Sequence, residues 1–153
     1  MDQPEREHPV LGRLRWDAGY DSWESEVDLA PGCRVSFRIV AEAGWADADP
    51  DELFAVGAEF LAWARQAEPA CRARVADDYL DTYNRAWADD DPDEGPPPLD
   101  RAGFLGHLRP AGISLYHTGV SDWVYDPGDL FAGHGISLYV GEDRVIGRAS
   151  LFG

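Results

Sequence analysis

Trp23-Glu24-Ser25-Glu26-Val27-Asp28-Leu29 alternates strictly, with Trp23, Ser25, Val27 and Leu29 on one side and Glu24, Glu26 and Asp28 on the other. Side chains of a strand point to opposite faces in turn, so this period of two marks a strand with one face buried and one wet. Beyond Ala30-Pro31-Gly32 the alternation resumes, with Cys33, Val35, Phe37 and Ile39 inward and Arg34, Ser36 and Arg38 outward. Two such strands joined by a short turn form an antiparallel hairpin, and matching their buried faces fixes the register. It sets Val27 opposite Val35, Asp28 opposite Arg34 and Glu24 opposite Arg38. Opposite charges facing each other across a ladder contribute roughly a few tenths of a kcal/mol per pair, so these arginines read as structural. A three-residue loop with Gly32 in the left-handed conformation fits the spacing, while Pro31 before it leaves the turn type open.

Upstream, residues 11–16 read as a strand and residues 17–21, with Gly19, as a turn, which makes a three-strand meander. Downstream, Asp49-Pro50-Asp51-Glu52 starts a helix: Asp49 caps it, Pro50 suits its first position, and Glu52 stands three residues after the cap. At about 100° per residue Leu53, Phe54, Val56, Phe60, Leu61, Trp63 and Ala64 share one half of that helix, which is its core face. Pro69 ends or kinks it, and a second stretch to about residue 88 puts Val75, Tyr79, Leu80, Tyr83 and Trp87 on one side. The expectation is an αα helical segment, as a pair or as one bent helix. Residues 89–98 combine five acids, Gly95 and three consecutive prolines, which makes an exposed loop. Asp100 caps a short third helix to about residue 108, and Arg109-Pro110 breaks it. Strands return at residues 113–117, 123–125, 135–140 and 145–152, with turns at Gly119, Gly128 and Gly141. The expected class is α+β: an antiparallel sheet whose first three strands form a meander, then the αα segment and third helix, then four more strands.

The chain has 153 residues, the size of one domain, with residues 1–8 expected to be disordered. At 44% hydrophobic and 12% aromatic it has the means to build a core despite its charge. Thirteen arginines and no lysine face 29 acidic residues, a formal charge of −16. That balance argues against phosphate backbones and anionic lipid and favours a cationic protein partner. The absence of lysine and the single asparagine, Asn84, fit a GC-rich coding genome better than a binding role. No stretch has the roughly 20 apolar residues that span a membrane, and the charged residues 1–8 lack the apolar region of a signal, so a cytoplasmic location is expected. Cys33 and Cys71 belong to no CxxC pair, which points to two reduced, buried thiols.

The run Asp129-Leu130-Phe131-Ala132-Gly133-His134-Gly135-Ile136, followed by a strand, a turn and a last strand, resembles a bacterial family, the uncharacterised domain of unknown function twenty-two sixty-two. Leu11-Gly12-Arg13-Leu14-Arg15-Trp16-Asp17 with Asp21-Ser22-Trp23-Glu24 is similar to the family's opening pattern. Ala132 and Gly135 stand where that pattern carries a bulky residue and a serine. The resemblance implies a setting like that of immunity proteins encoded beside bacterial polymorphic toxins, and it supplies no catalytic residue.

Chemistry must then be sought in the residues themselves. His134 near Asp126 and Asp129 has the makings of a general base with an orienting carboxylate, but a histidine between two glycines more simply ties down a turn by donating to a backbone carbonyl. No two histidines stand at a zinc-type spacing, Ser121 lacks the second glycine of a nucleophile elbow, and neither cysteine is marked as activated. Asp89, Asp91 and Asp93 alternate like calcium ligands, with Asp100 twelfth, yet Glu94 replaces the glycine of the sharp turn. No metal and no cofactor are expected. The function expected is a non-enzymatic acidic protein-binding module, of the immunity type that neutralises a cationic bacterial toxin domain. Its partner contacts would be Trp45, Asp47, Asp49, Asp51, Trp87, Asp89, Asp90, Asp91, Asp93 and Glu94. The alternative is a small hydrolase or ligand-binding protein using Asp126, Asp129 and His134.

Overall fold

The computed structural model describes residues 4–41 and 47–153. Its elements run β1 (Glu5–His8), β2 (Gly12–Asp17), β3 (Ser22–Ala30), β4 (Cys33–Val40), α1 (Pro50–Thr82), α2 (Arg101–His107), β5 (Arg109–Leu115), β6 (Ser121–Asp126), β7 (Gly135–Val140) and β8 (Ile146–Phe152). The helix α1 continues as a π-helical turn, Tyr83–Trp87. The strands form one sheet in sequence order, β1 to β8, with α1 packed on one face.

The hairpin β3–β4 carries the register set by its alternation, with Val27 opposite Val35, Asp28 opposite Arg34 and Glu24 opposite Arg38. The charged pairs form: Arg34 lies 3.5 Å from Asp28, and Arg38 pairs with Glu24. Gly32 is left-handed with φ 74°, and the turn is the two residues Pro31-Gly32 between the paired Ala30 and Cys33.

The remaining layout corrects the expectation from sequence in three places. The sheet is mixed, not antiparallel, because β4 and β5 pair in parallel, Ser36 opposite Gly112 and Ile39 opposite Leu115. A parallel neighbour needs a long crossover, and α1 with α2 is that crossover. The helical segment is one helix through Pro69, not a pair. Pro69 is exposed, so the carbonyl it leaves unbonded faces water, and Leu61, Ala64, Cys71 and Val75 on either side are buried on the same core. There are eight strands among the described residues, since Glu5–His8, expected to be disordered, forms β1 against β2. His8 fixes that turn, its Nδ1 accepting the N–H groups of Val10 at 3.1 Å and Leu11 at 3.2 Å. The short helix α2 ends at His107, before Arg109-Pro110, and β5 begins there at once, with Pro110 at its bulge.

The core is the interface of helix and sheet. Phe37, Ile39, Ile113, Leu115, Trp123, Tyr125, Ile136 and Leu138 of the sheet are fully or almost fully buried, as are Phe54, Phe60, Leu61, Cys71 and Val75 of α1. Each large side chain so buried contributes about 1.5–3 kcal/mol. Helix and sheet approach closely at Gly57, where a Cβ would stand 2.5 Å from Ile39 Cδ1. Val56, placed by periodicity on the core face, is exposed instead. Both ends of α1 are tied down. Asp49 caps its first turn by accepting the Asp51 N–H at 2.9 Å. Near its far end Asp78 Oδ2 accepts the Ala149 N–H of β8 at 3.0 Å, and the Tyr79 hydroxyl accepts that of Leu151 at 3.1 Å.

Candidate functional site

The length of α1 decides which acidic residues belong together. At about 1.5 Å per residue its 33 residues span about 50 Å, so Asp47, Asp49 and Asp51 stand at one end and the loop after Trp87 at the other. The two acidic groups expected from sequence to steer one partner do not form one patch. Trp45 lies outside the described residues. Asp49 is occupied as the helix cap, whereas Asp47 and Asp51 are exposed.

The loop at the far end is a closed structure. Tyr83 donates its hydroxyl proton to the Pro97 carbonyl at 2.7 Å. Asn84 grips the backbone of Leu99 twice, donating Nδ2 to its carbonyl at 2.8 Å and accepting its N–H on Oδ1 at 2.9 Å. The Asp89 N–H bonds the Pro96 carbonyl at 2.8 Å. Inside this frame Asp89 Oδ1 accepts from Asp91 N–H and Asp91 Oδ1 from Asp93 N–H. These carboxylates turn to backbone, not to a common centre, and no group of three His, Cys, Asp or Glu among the described residues is placed to hold a metal. The nearby cations are committed elsewhere, Arg85 to Asp81 at 2.8 Å and Arg101 to Asp77 at 2.7 Å. Among the described residues no arginine pairs with Asp89, Asp90, Asp91, Asp93 or Glu94. Trp87 beside the loop is half-buried, its ring edge-on to Phe131 at 5.5 Å and to His134 at 5.9 Å.

The alternative set is close in sequence but not joined by hydrogen bonds. Asp126 Oδ1 accepts the Gly128 N–H at 2.8 Å, while His134 Nδ1 lies 3.3 Å from the Phe152 carbonyl. Asp129 is exposed, and its charge, after burial, helps push the Tyr83 phenol up from its ordinary range. Ala132 and Gly133 are both left-handed, φ 53° and 90°, so the run is a tight turn that buries Phe131 among Tyr79, Tyr83, Trp87 and Phe104. His134 is thus set between the Trp87 ring and the Phe152 carbonyl. Ser121 accepts the Trp123 indole N–H at 3.0 Å, and His107 Nδ1 lies 2.8 Å from the Gly103 carbonyl.

Two arrangements escaped the sequence. Glu68 bridges Arg72, at 2.8 Å, and the hydroxyl of the fully buried Tyr125, at 3.5 Å. Burial, then the Glu68 charge, pushes the neighbouring Cys71 thiol up to about 12 and raises Tyr125 further still, which makes both inert at neutral pH. Arg144, left-handed at φ 63°, pins the β7–β8 turn to α1: it pairs with Glu59 and stands over the rings of Phe60 at 5.9 Å and Trp63 at 5.2 Å. The hydrogen bond from Arg144 holds the Glu59 carboxyl below its ordinary range. The spacing of Glu68 and Arg72, four apart on a helix, was the available signal for the first; nothing in the local sequence marks the second.

No helix among the described residues is long and apolar enough to cross a membrane. No curated protein and no solved structure matches the chain. The turn at Phe131 to Gly135 and the β2–β3 strands are the parts on which its resemblance to a bacterial family rested, and the match extends well beyond them. The family model described as an uncharacterized protein conserved in bacteria (DUF2262) covers residues 8–151, from the last residue of β1 to all but the last of β8, and the chain belongs to that family.

Proposed function

We propose that this protein is a non-enzymatic, acidic protein-binding module of the immunity type, which neutralises a cationic toxin domain in the bacterial cytoplasm. The observation that carries this is the loop at residues 89–94, with five carboxylates free of any arginine among the described residues and both of its ends clamped by Tyr83, Asn84 and Asp89. A loop ordered before binding loses less entropy on association than a floppy one, and unpaired surface charge raises the rate of encounter with an oppositely charged partner. The formal charge of −16 acts in the same direction. The exposed Asp47 and Asp51 lie about a helix length away, so first contact is assigned to the 89–94 loop.

The test is association kinetics with the basic protein encoded by the neighbouring gene, followed by stopped flow across an ionic-strength series. Replacing Asp89, Asp90 and Asp91 with Asn should slow association at low salt and leave dissociation nearly unchanged, because exposed charges act over about 8 Å at physiological salt. A neighbour that is itself acidic, or an association rate indifferent to salt, removes this function.

A further inference from the structure

The outer face of the sheet, away from α1, holds a concavity of about 610 Å³ lined by Gly12, Arg13, Arg15, Asp17, Glu24, Glu26, Arg34 and Ser36. That volume is in the range of small-molecule sites. Its walls come from the outward positions of β2, β3 and β4, where Arg15 faces Glu24 and Glu26 faces Ser36. Its floor is low because Gly12 has no side chain and Ser36 a short one. A second concavity of about 260 Å³, lined by Arg38, Gly112, Ser114 and Val124, shares Ser36 and prolongs the groove across β5 and β6. The functional reading from the acidic loop makes no use of this face.

Three arginines converge on a groove in a chain with a large excess of acid. The lining itself matches three cations, Arg13, Arg15 and Arg34, with three anions, Asp17, Glu24 and Glu26, while Glu5, Glu7 and Asp28 pair with the arginines from its rim. The arginines are also available. Arg13, Arg15 and Arg34 are each about 60% exposed, and their partners Glu5, Glu7, Glu26 and Asp28 are equally wet. Exposed pairs of this kind are weak and exchange readily. Arg13 bonds Glu7 through Nε, at 3.3 Å, which leaves its two terminal amino groups for water or a ligand. A guanidinium presents its donors as a planar fork matched to a phosphate or carboxylate. Glu24 and Glu26 beside it accept hydrogen bonds from ammonium or hydroxyl groups.

We infer that this groove binds a small zwitterionic ligand, its phosphate or carboxylate seated on Arg13 and Arg34 and its amino or hydroxyl groups on Glu24 and Glu26. The probe is O-phosphoserine, with serine and inorganic phosphate as controls, titrated calorimetrically into the full chain at low salt. Saturable binding of phosphoserine is expected, at least ten-fold tighter than serine. The double variant Arg13→Gln, Arg34→Gln should lose it at least ten-fold, while Arg85→Gln, a wet arginine outside the groove, should not. Both groove arginines are exposed, so an unchanged thermal transition will certify the fold of the double variant. Absence of saturable binding by phosphoserine and phosphate up to tens of millimolar overturns the inference, as does equal binding by the double variant. Resonances that move at Arg85 and Asn84 instead of Gly12 and Ser36 do the same.

Discussion

Asn84→Ala tests the frame of the acidic loop. The side chain makes two hydrogen bonds to the Leu99 backbone, at 2.8 and 2.9 Å, in a half-buried setting. A neutral hydrogen bond contributes about 0.5–1.5 kcal/mol net, so the pair is worth about 2 kcal/mol. The variant leaves the Leu99 N–H and carbonyl without protein partners, and because the site is only half-buried, water takes up part of that loss. For a chain of 153 residues a kcal/mol moves Tm by about 2–4 °C, which predicts a fall of about 4–8 °C. The fall must be accompanied by a local change: amide exchange of residues 89–99 should quicken by more than that of the sheet, because the loop loses its tether while α1 keeps its core. Tyr83→Phe removes only the bond to Pro97 and should cost about half as much. Asn84→Ala with unchanged Tm and unchanged loop exchange would refute the assignment of the loop's order to this amide. A fall in Tm with uniform exchange would refute its local character.

The Cys71 thiol ionises near 9.0 when unfolded and about 12 when folded, so the unfolded state binds fewer protons in that interval and stability falls as pH rises above 9. Unfolding free energies from urea titrations should fall by about 1 kcal/mol more in wild type than in Cys71→Ala between pH 9 and 10, the decline left in the variant coming from the Tyr83 and Tyr125 phenols, which are raised as well. Arg144→Gly should be more stable than Arg144→Ala by about 1 kcal/mol, since both lose Glu59 and the rings but only glycine is at ease at φ 63°; chemical denaturation of the two decides it. Millimolar calcium should leave Tm unchanged, because Asp89 and Asp91 each turn one oxygen to a backbone N–H and no three described ligands converge on one point; a rise of several degrees would contradict that geometry.

What was legible in the sequence was local. The β3–β4 hairpin could be read to the residue pair because alternation and complementary charge agree, and α1 announced its start through Asp49 and Pro50. The parallel joining of β4 to β5 could not be read, since nothing in either strand records that residues 50–107 return the chain on the same side. Pro69 misled for a related reason: its local cost is real, but a core contacted on both sides of it outweighs one missing bond. Glu5–His8 escaped because an edge strand with both faces wet has no apolar rhythm. At the candidate site, the exposure of Asp90 to Glu94 was readable, while their distance from Asp47 follows from a helix that the sequence left open as a pair or as one bent helix. Asn84 was counted as a trace of composition, and a count carries no information about what an amide touches.

Strand order leaves a sheet with two ends, and an end with idle backbone groups invites a further strand from another molecule. At β8 that invitation is withdrawn: the outward amides of Ala149 and Leu151 are already taken by Asp78 and Tyr79, and Asp78 is held in turn by Arg74 at 3.1 Å. An incoming chain would have to expel an aspartate and a tyrosine anchored on a long helix before gaining its first rung. At β1 the barrier is of another kind, four residues of wet, mostly charged side chains that offer no apolar zipper. The protection at β8 exists only once α1 has docked. Conditions that loosen the helix while sparing the sheet will therefore expose the Ile146–Phe152 ladder first, and fibrillar or amorphous association should set in there before global unfolding is complete.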